Sequence, residues 1–513
     1  MTTFGLKGLP LLTAEQSRAL DQAVSADLNL TGNALMELAS TAIFEAICAW
    51  RPKLSAISVF CGTGNNGGDG WVIARQALEA GWDVQVELVG DLKRIGGDAA
   101  RAYAAFLQAG GLISPSPLSL EALTEQDVIV DAILGTGLRG AVREHQQVAI
   151  DRINASHGTV VSVDCPSGLC SDSGSALPRA IRADLTLTVI APKRGLYTGD
   201  AVDCVGQLEY LPVVSAESQI NALDPKAELL ELVLQEGHAH QHVELGLARA
   251  SNSHKGHFGR ILVVAGNTGM AGAAILASEA ALRSGAGLVS VASRADTVMA
   301  LLQRRPEVMA HEVTQAAELA PLLQMAEVVI VGPGLGRDDW AAGLLGKVLD
   351  AELPTVIDAD ALHLLPSLSL NQPLHTNCVL TPHPGEAAAL LNLSTRDVMA
   401  DRFAASQALA SRFSAVTVLK GAGSVITEAS GERVAVCPYG NAGMATAGSG
   451  DVLAGVIGTL LAQTGSAAHA AALGCCLHAS AGDAVAAERG MAGLVAGDIV
   501  DALGPLVDAL TRV

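Results

Sequence analysis

Two glycine-rich sites lie in different halves of the chain, and each has the composition of a phosphate-binding site. The first is residues 62–70, Gly-Thr-Gly-Asn-Asn-Gly-Gly-Asp-Gly. The second is divided among residues 332–336, 420–424 and 448–451. Glycine lets backbone N–H groups approach a phosphate closely, and a helix that starts there adds a favourable dipole. Two such sites predict two nucleotide-handling domains and two linked reactions.

The first site matches the dinucleotide fingerprint Gly-x-Gly-x-x-Gly through Gly62, Gly64 and Gly67. Glu87 follows about 20 residues later, as the acidic residue of that fingerprint would. Asp69 departs from it, because a carboxylate disfavours a simple pyrophosphate cradle and favours recognition of hydroxyl groups or a cation. A tight strand–helix turn without a ligand is the alternative interpretation.

Two further strand ends in this half carry carboxylates. Asp131 precedes the Gly-Thr-Gly turn at residues 135–137, and Asp164 precedes a turn that contains Ser167. Ligands of doubly wound sheets bind at the carboxyl ends of the strands, so these strand ends are expected to meet. Together with Asn66 they would form an oxygen-rich pocket, which suits a hard cation.

The second site combines a helix start with a carboxylate. Residues 448–451, Gly-Ser-Gly-Asp, precede an apolar helical run at 452–461, whose first N–H groups would bind an anion. Asp451 is placed to act as a base on a hydroxyl group that approaches a terminal phosphate. The rigid turn at residues 381–386 adds polar groups, among them His383, which is either a turn residue or a substrate contact. Ordinary turns of an α/β fold are the alternative for the whole set.

Apolar strands alternate with helical stretches in both halves, which is the pattern of parallel α/β sheets. The predicted strands of the first half are residues 56–61, 84–89, 128–132, 160–163 and 185–189. Those of the second half are residues 260–265, 328–331, 355–358, 378–381, 416–419 and 424–427. The first glycine segment is predicted to be a loop, with the following helix opening at Trp71. We therefore predict an α/β fold with two domains.

A polar, His-rich stretch at residues 215–257 separates the two α/β series. The predicted domains are residues 1–216 and residues 221–513. Three alternating histidines in this stretch would lie on one face of a strand, at positions 238, 240 and 242. A metal site is one interpretation of them, and a solvated linker is the one we favour.

The composition excludes several classes of function. With 32 Lys and Arg against 52 Asp and Glu, the net charge of −20 argues against nucleic-acid binding, which needs basic patches. The nine cysteines are an odd number without a C-x-x-C pair, which predicts a reducing, cytoplasmic setting. Because the N-terminus lacks a signal-peptide pattern and no apolar run reaches about 18 residues, no membrane span is predicted.

The first half resembles the NAD(P)H-hydrate epimerase family over about residues 10–213, through the long glycine segment and the two carboxylate turns. The resemblance implies a Rossmann-like doubly wound sheet. It also implies a potassium ion held by Asn66, Asp131 and Ser167. The residues implied to contact the hydrated dinucleotide are Asn65, Asn66, Gly67, Gly68, Asp69, Gly135, Thr136, Gly137, Leu138, Arg139, Gly140, Ala141 and Asp164. Two departures from the family, Ser40 and Cys165, are expected to leave these positions untouched.

The second half resembles the ribokinase-like superfamily, and within it the ADP/ATP-dependent NAD(P)H-hydrate dehydratases. The resemblance covers about residues 225–510 and includes the motifs at 254–259, 269–274 and 284–287. It implies a ribokinase-like α/β sandwich. The residues implied to hold the nucleotide are Lys420, Gly421, Ala422, Gly423, Ser424 and Gly450, and those implied to face the hydrate are Ala273, Gly336, His383 and Asp451. Residues 440–442, Gly-Asn-Ala, depart from the usual Asn-Pro.

Together the resemblances imply a bifunctional enzyme, an isomerase and a lyase, that repairs the hydrates NADHX and NADPHX. The second domain would phosphorylate the added hydroxyl group with ADP or ATP, because phosphate leaves readily and hydroxide does not. Asp451 would be the base, and a magnesium ion would accompany the nucleotide phosphates. The first domain would interconvert the R and S epimers, so that the S hydrate reaches the dehydratase.

Other interpretations remain open at the level of sequence. The epimerase base is Asp69, Asp131 or Asp164. The chain could instead be a small-molecule kinase of ribokinase type with an accessory dinucleotide-binding domain, which would release a stable phosphorylated product. The first domain could also be a non-catalytic module, because folds outlive their activities. We expect small-molecule substrates, no nucleic-acid or membrane partner, and a homo-oligomer.

Overall fold

The computed structural model describes residues 6–232, 249, 251–368, 374 and 377–511. The chain forms two units, Pro10–Ala227 and a second unit that joins Glu228–Val513 to the N-terminal Met1–Leu9. The predicted domain limits, 216 and 221, lie 11 and 7 residues before the ends at 227 and 228 that the structure gives. Independent folding of the two domains stays a prediction. The three alternating histidines lie outside the described residues.

The described residues form strands that are numbered in chain order. They are β1 (Leu6–Leu11), β2 (Ala56–Cys61), β3 (Asp83–Leu88), β4 (Val128–Ala132), β5 (Thr159–Val163), β6 (Leu185–Val189), β7 (Gln207–Leu211), β8 (Ala227–Leu232), β9 (Arg260–Val264), β10 (Leu288–Ser293), β11 (Met309–Glu312), β12 (Val328–Val331), β13 (Thr355–Ile357), β14 (Cys378–Leu380), β15 (Val416–Leu419), β16 (Ser424–Thr427) and β17 (Val434–Cys437).

The α-helices connect these strands. They are α1 (Ala14–Asp27), α2 (Gly32–Trp50), α3 (Asn65–Glu79), α4 (Gly97–Gln108), α5 (Glu144–Asn154), α6 (Glu217–Ala222), α7 (Ala271–Arg283), α8 (Ala295–Arg304), α9 (Ala320–Met325), α10 (Asp339–Asp350), α11 (Ala359–Leu364), α12 (Pro384–Leu391), α13 (Thr395–Ala400), α14 (Arg402–Phe413), α15 (Ser449–Thr464), α16 (Ala467–Arg489) and α17 (Ala496–Thr511).

The first unit is built on a six-stranded sheet in the order β3-β2-β4-β5-β6-β7. All neighbouring strands are parallel. Strands β4 and β5 are buried along their whole length, as expected of parallel strands covered by helices on both faces. The strand order reverses direction between β2 and β4, and the carboxyl ends of these strands therefore border a crevice where doubly wound sheets bind ligands.

Helix α3 starts earlier than predicted. The sequence interpretation has a loop up to Trp71, but the structure makes Gly64 the N-cap and Asn65 the first helical residue. The glycines serve close packing rather than loop flexibility. A Cβ atom on Gly67 would lie 2.0 Å from the carbonyl oxygen of Gly62, so only glycine lets the helix start this close to the end of β2. The predicted loop is therefore the first two turns of a helix.

The second unit is built on an eleven-stranded sheet in the order β1-β8-β17-β16-β15-β14-β13-β12-β9-β10-β11. Neighbouring strands from β11 to β15 are parallel, whereas β16 is antiparallel to both β15 and β17. The predicted limits place β1 in the first domain, but its backbone pairs in this second sheet. Such pairing depends on a partner strand more than 200 residues away, which local pattern does not reveal.

Helix α16 is the one helix of the described residues that is long and apolar enough to cross a membrane, by length and composition alone. Within its most apolar window, 72% of the residues are buried inside the structure. Its leucines and cysteines belong to the same hydrophobic core as α15 and α7. Burial against protein accounts for its composition, as in the core helices of large α/β domains. The predicted α/β fold with two largely parallel sheets is confirmed.

Candidate active sites

The first unit contains a cavity of about 970 Å³ at the carboxyl ends of its central strands. Most residues predicted to contact the dinucleotide line it: Asn65, Asn66, Asp69, Gly135, Thr136, Gly137, Leu138, Arg139, Ala141 and Asp164. Three predicted contacts do not. Gly67 and Gly68 are buried within α3, and Gly140 is exposed outside the cavity lining. Cavities of this size are typical of small-molecule sites.

Asp131 is completely buried and does not line the cavity. Its Oδ2 accepts hydrogen bonds from Ser162 Oγ and Ser167 N, both at 2.8 Å. Its Oδ1 accepts from Ser167 Oγ at 2.5 Å and from Ile133 N at 3.3 Å. Burial raises the pKa of Asp131, and these hydrogen bonds oppose the shift. A carboxyl group so enclosed cannot reach a ligand in the cavity, which removes it from the candidate bases.

Two of the three predicted potassium ligands, Asn66 and Ser167, bond to the peptide groups of Leu134, and the third, Asp131, bonds to Ser167. Ser167 Oγ accepts from Leu134 N at 2.8 Å, and Asn66 Nδ2 donates to Leu134 O at 3.0 Å. Among the described residues, no basic side chain forms an ion pair with Asp131, and no hydrogen bond uses Asn66 Oδ1. A buried carboxylate without a cationic partner and a free amide oxygen fit a monovalent cation. The potassium ion itself stays a prediction.

Asp164 is paired with a lysine that the sequence interpretation missed. The side chain of Lys193 is only 4% exposed and donates to Asp164 Oδ1, to Thr188 Oγ1 at 3.1 Å and to Val189 O at 2.9 Å. Asp164 itself has a left-handed backbone, with φ of +63°. Such a conformation in a residue other than glycine is a feature of functional sites held by their surroundings. Lys193 follows the end of β6, so the strand-end argument applied elsewhere could have found it.

Two further carboxyl groups of the cavity lining have raised pKa values. The cavity encloses Asp69, and this burial raises its pKa to about 7, with Asp164 and Asp21 adding to the shift. Solvent reaches Asp21, but the surrounding walls displace bulk water and raise its pKa to about 6. No local pattern in the sequence marked Asp21, because it comes from α1 and joins the site only through tertiary packing. Asp69 is the carboxyl group best placed to exchange protons near neutral pH.

The two departures from the family behave differently. Ser40 was expected to touch no site residue, but its Oγ donates to Asp69 Oδ1 at 2.8 Å, so that expectation is wrong. Cys165 is buried beside Pro166 and Leu169, and burial raises the pKa of its thiol well above the usual value. It is therefore a packing residue.

Glu87 does not serve as the acidic residue of a dinucleotide fingerprint. Arg152 holds its carboxylate with hydrogen bonds of 2.7 and 3.2 Å, and Leu118 N donates to it at 2.8 Å. Its side chain is outside the cavity lining. Glu87 thus stabilises the fold and is not available to a ribose hydroxyl group.

The site of the second unit lies where parallel strands β12 to β15 end. Lys420 follows β15, and its Nζ donates to Asp358 Oδ1 at 2.7 Å. Thr381 Oγ1 donates to the same oxygen at 2.7 Å, and Glu386 lies 4.0 Å from Lys420 Nζ. Burial alone would lower the pKa of Lys420, but Asp358 and Glu386 outweigh it and the pKa is raised. The lysine therefore carries a stable positive charge at the edge of the sheet.

Asp451 stands in the first turn of α15, opposite this lysine. A Cβ atom on the preceding residue, Gly450, would lie 3.2 Å from Lys420 Nζ, so glycine allows the helix start to approach the charge. Burial raises the pKa of Asp451 to about 7; the charges of Asp358 and Asp360 add to this shift, and Lys420 opposes it. A carboxyl group with this pKa is suited to general base catalysis near neutral pH. The helix begins at Ser449, three residues before the predicted run.

The other residues predicted to face the hydrate lie on separate turns of the second unit. Gly336 N donates to Asp360 Oδ2 at 2.9 Å, and Ala273 packs against Gly334. His383 is the N-cap of α12, where its Nδ1 accepts from the N–H groups of residues 385 and 386 at 3.0 and 3.2 Å. His383 is therefore a turn residue, which is one of the two roles that the sequence predicts for it. Its side chain is 55% exposed, and a contact of its Nε2 with substrate stays a prediction.

The loop that is predicted to hold the nucleotide, residues 420–423, connects β15 to β16, and we call it the nucleotide loop. Gly421 and Ala422 are exposed, whereas Gly423 is buried. Ser424 Oγ donates back to Gly421 O at 3.1 Å, which closes the turn. The buried face of the loop contacts Arg402. Asp358 and Arg402 escaped the sequence interpretation, although Asp358 ends a predicted strand and followed the same pattern as Asp131 and Asp164.

Comparison with known proteins assigns both units. Residues 32–195 match the family described as YjeF-related protein N-terminus, and residues 261–504 match the family described as NAD(P)H-hydrate dehydratase. The chain is 44% identical to the bifunctional NAD(P)H-hydrate repair enzyme Nnr of Coxiella burnetii, over 92% of this chain and 94% of that protein. It is 41% identical to the protein of the same name from Escherichia coli, over 96% and 93% of the two chains.

Among solved structures, the chain is similar to the ADP/ATP-dependent NAD(P)H-hydrate dehydratase of Bacillus subtilis co-crystallised with ATP and Mg²⁺. The identity is 28% and the TM-score 0.47, and the match covers 52% of this chain and 94% of that one. The resemblance inferred from the motifs is confirmed by the full-length relatives. By these matches, which extend over both units, the chain belongs to the family of bifunctional NAD(P)H-hydrate repair enzymes.

Proposed function

We propose that this chain repairs hydrated NADH and NADPH by two reactions. The second unit removes water from the S hydrate with ADP or ATP, and the first unit interconverts the R and S hydrates. The observation that carries the proposal is Asp451, a base with a pKa of about 7 in the first turn of a helix that faces Lys420. This arrangement serves phosphoryl transfer to a hydroxyl group, and the family supplies the substrate class.

In the dehydratase, the hydroxyl oxygen on ring carbon six of the hydrate attacks the terminal phosphorus of the nucleotide. Asp451 accepts the proton of that hydroxyl group during the attack. The bond from that phosphorus to the nucleotide breaks, and the nucleotide leaves with one phosphate fewer. The ring nitrogen then expels the new phosphate from carbon six, and loss of a proton from carbon five restores the reduced nicotinamide. The N–H groups at the start of α15 and the charge of Lys420 stabilise the transferring group.

Magnesium would accompany the nucleotide, since it is bound mainly by substrate phosphates and water with one or two carboxylates. Asp358 and Asp360 are the carboxylates beside Lys420 and Gly336 that could meet it. In the first unit Asn66, Asp131 and Ser167 would hold potassium, whose charge would balance the buried carboxylate. Neither ion is needed to explain the position of Asp451 or Asp69.

In the epimerase, we assign the proton transfers to Asp69. Carbon six of the hydrate bears both the hydroxyl group and the ring nitrogen, so removal of the hydroxyl proton opens the carbon–nitrogen bond to an aldehyde. The nitrogen takes up the proton that Asp69 removed from the hydroxyl group. When the nitrogen then attacks the other face of the aldehyde, it gives up this proton through Asp69, the aldehyde oxygen takes it up as a hydroxyl group, and the other epimer forms. The ion pair of Asp164 with Lys193 would orient the reacting end of the substrate.

The test is to supply a mixture of chemically hydrated NADH epimers with ADP or ATP, and to follow the absorbance of reduced nicotinamide. Complete recovery supports both activities, and recovery of one fraction only shows an inactive first unit. A stable phosphorylated product without recovery would instead establish the small-molecule kinase alternative. We also propose that the protein acts in the cytoplasm, because its nine cysteines are free. We further propose that it forms a homo-oligomer, which light scattering would test.

A further inference from the structure

Arg402 is a buried arginine at the start of α14, directly under the nucleotide loop. It is only 1% exposed. Burial lowers its pKa to about 10, so the guanidinium group is still charged at neutral pH. Its position is unusual for a charged side chain, because arginine is almost never fully buried without specific partners. Its hydrogen bonds therefore decide what it does.

The guanidinium group donates to three carbonyl oxygens of the loop and the strand before it. Nη2 donates to Leu419 O at 3.0 Å and to Gly423 O at 3.4 Å, and both Nη1 and Nη2 lie 3.4 Å from Lys420 O. The planar fork of arginine reaches several acceptors at once, which lysine cannot do. One side chain thus holds both ends of the nucleotide loop.

These bonds determine which way the loop presents its N–H groups. In a trans peptide the C=O and the following N–H point in opposite directions. The oxygen of Lys420 points inward to Arg402, so the N–H group of Gly421 points outward. Among the described residues, that N–H group donates to no protein acceptor. It is therefore free to bind an anionic group on the exposed side, next to Lys420 Nζ.

Gly421 and Arg402 also depend on each other sterically. Gly421 has φ of +143°, a conformation that favours glycine. A Cβ atom there would lie 2.8 Å from Arg402 Nη1. The loop consequently keeps its shape only while the arginine stays beneath it and the position above it is glycine.

We propose that Arg402 is a positioning residue for the nucleotide: it holds the nucleotide loop so that the Gly421 N–H group and the Lys420 amine face the phosphates of ADP or ATP. The inference rests on the proposed dehydratase. Arg402 does not touch the nucleotide and acts through the loop. Removing it takes the arginine hydrogen bonds away from these carbonyl oxygens and allows the loop to turn.

The test compares Arg402→Met with Arg412→Met, a matched control on the same helix. Arg412 also donates to a backbone oxygen, Leu390 O at 2.6 Å, but it is exposed and does not contact the loop. We expect Arg402→Met to raise the KM for the nucleotide at least about tenfold. The kcat at saturating nucleotide and the KM for the hydrate should change much less. Arg412→Met should stay within about twofold of the wild type in all three.

Nucleotide binding without catalysis gives an independent readout. ADP should raise the thermal midpoint of the wild-type protein and of Arg412→Met, and raise that of Arg402→Met much less. If Arg402→Met does not fold, the same measurements are made on Arg402→Lys. Lysine keeps the positive charge but lacks the planar guanidinium group that reaches several acceptors at once. Gly421→Ala should also raise the KM for the nucleotide, because the added Cβ atom would collide with Arg402.

An unchanged nucleotide KM in a folded Arg402 variant, or an equal effect of Arg412→Met, would overturn the positioning role. So would a loss of kcat with an unchanged KM. These outcomes would not contradict the proposed dehydratase, because each of them is measured against a wild-type protein that is active with the nucleotide. Failure of the wild-type protein to bind or use ADP and ATP would overturn the proposed function, and the inference with it.

Discussion

The hydroxyl group of Ser40 donates a 2.8 Å hydrogen bond to Asp69 Oδ1, which joins α2 to the start of α3 where Asp69 lines the cavity of the first unit. The bond stabilises the ionised form of Asp69 and so opposes the burial that raises its pKa to about 7. Ser40, one of the two departures from the family, thus tunes the group to which we assign the epimerase proton transfers.

Ser40→Ala should move the epimerase pH profile. Without the hydrogen bond the pKa of Asp69 rises further, by roughly 0.5–1 unit, and the limb of kcat that rises with pH moves up by the same amount. Ser17→Ala is the control, because Ser17 lines the same cavity and its hydroxyl group makes no hydrogen bond within the described structure. A limb that does not move in Ser40→Ala would exclude Asp69 as the group observed.

Asp451→Asn should abolish nucleotide-dependent repair. Loss of a general base typically costs about a hundredfold or more in rate, while the fold and the epimerase should be unaffected. The measurement is recovery of NADH absorbance from the S hydrate, beside an epimerisation assay on the same sample. Repair at close to the wild-type rate would remove Asp451 from the mechanism.

The same substitution should stabilise the protein above neutral pH. The pKa of Asp451 is about 7 in the folded protein and 3.8 without the fold, so its contribution to stability is present below pH 3.8 and lost as the pH rises through 7. Asparagine does not ionise and avoids this loss. At pH 8 the variant should gain on the order of 1–3 kcal/mol, with little difference near pH 4. Calorimetry at both pH values measures the stability of the variant relative to the wild type. An equal stability difference at pH 4 and pH 8 would show that burial does not raise the pKa of Asp451.

Asp131→Ala should impair epimerisation and leave dehydration of the S hydrate intact. It leaves the donors of Ser162 and Ser167 without their acceptor, which should cost about 1–3 kcal/mol in stability. With mixed epimers, recovery should be fast for one fraction and slow for the rest. Replacing potassium by a bulky organic cation should have the same effect on the wild-type protein. Normal rates in both experiments would show that no cation site serves catalysis.

The fragment 10–227 should fold and epimerise by itself, because it contains the whole six-stranded sheet and the cavity. The companion fragment 228–513 should be less stable than the intact second unit, since it loses the pairing of β1 with β8. Circular dichroism and the epimerase assay test the first fragment. A disordered or inactive 10–227 would contradict the separation of the two units.

Much of this molecule could be predicted from local pattern. Glycine segments, apolar strands and the carboxylates that follow them predicted the two α/β units, and they also predicted that Asn66, Asp131 and Ser167 would come together. The reason is physical: parallel strands covered by helices end at one edge, so every strand-end residue approaches the same crevice. Asp451 was predictable in the same way, from a helix start after glycine.

Only the tertiary structure decided how those groups are paired and charged. Asp21 reaches the cavity from α1, Ser40 reaches Asp69 from α2, and Arg402 supports a loop that lies 18 residues further along the chain. Burial and neighbouring charges set the pKa of Asp69 and Asp451, and both depend on residues distant in sequence. Local residue spacing predicts periodicity and turns, whereas hydrogen-bond partners and desolvation arise when separate elements pack together.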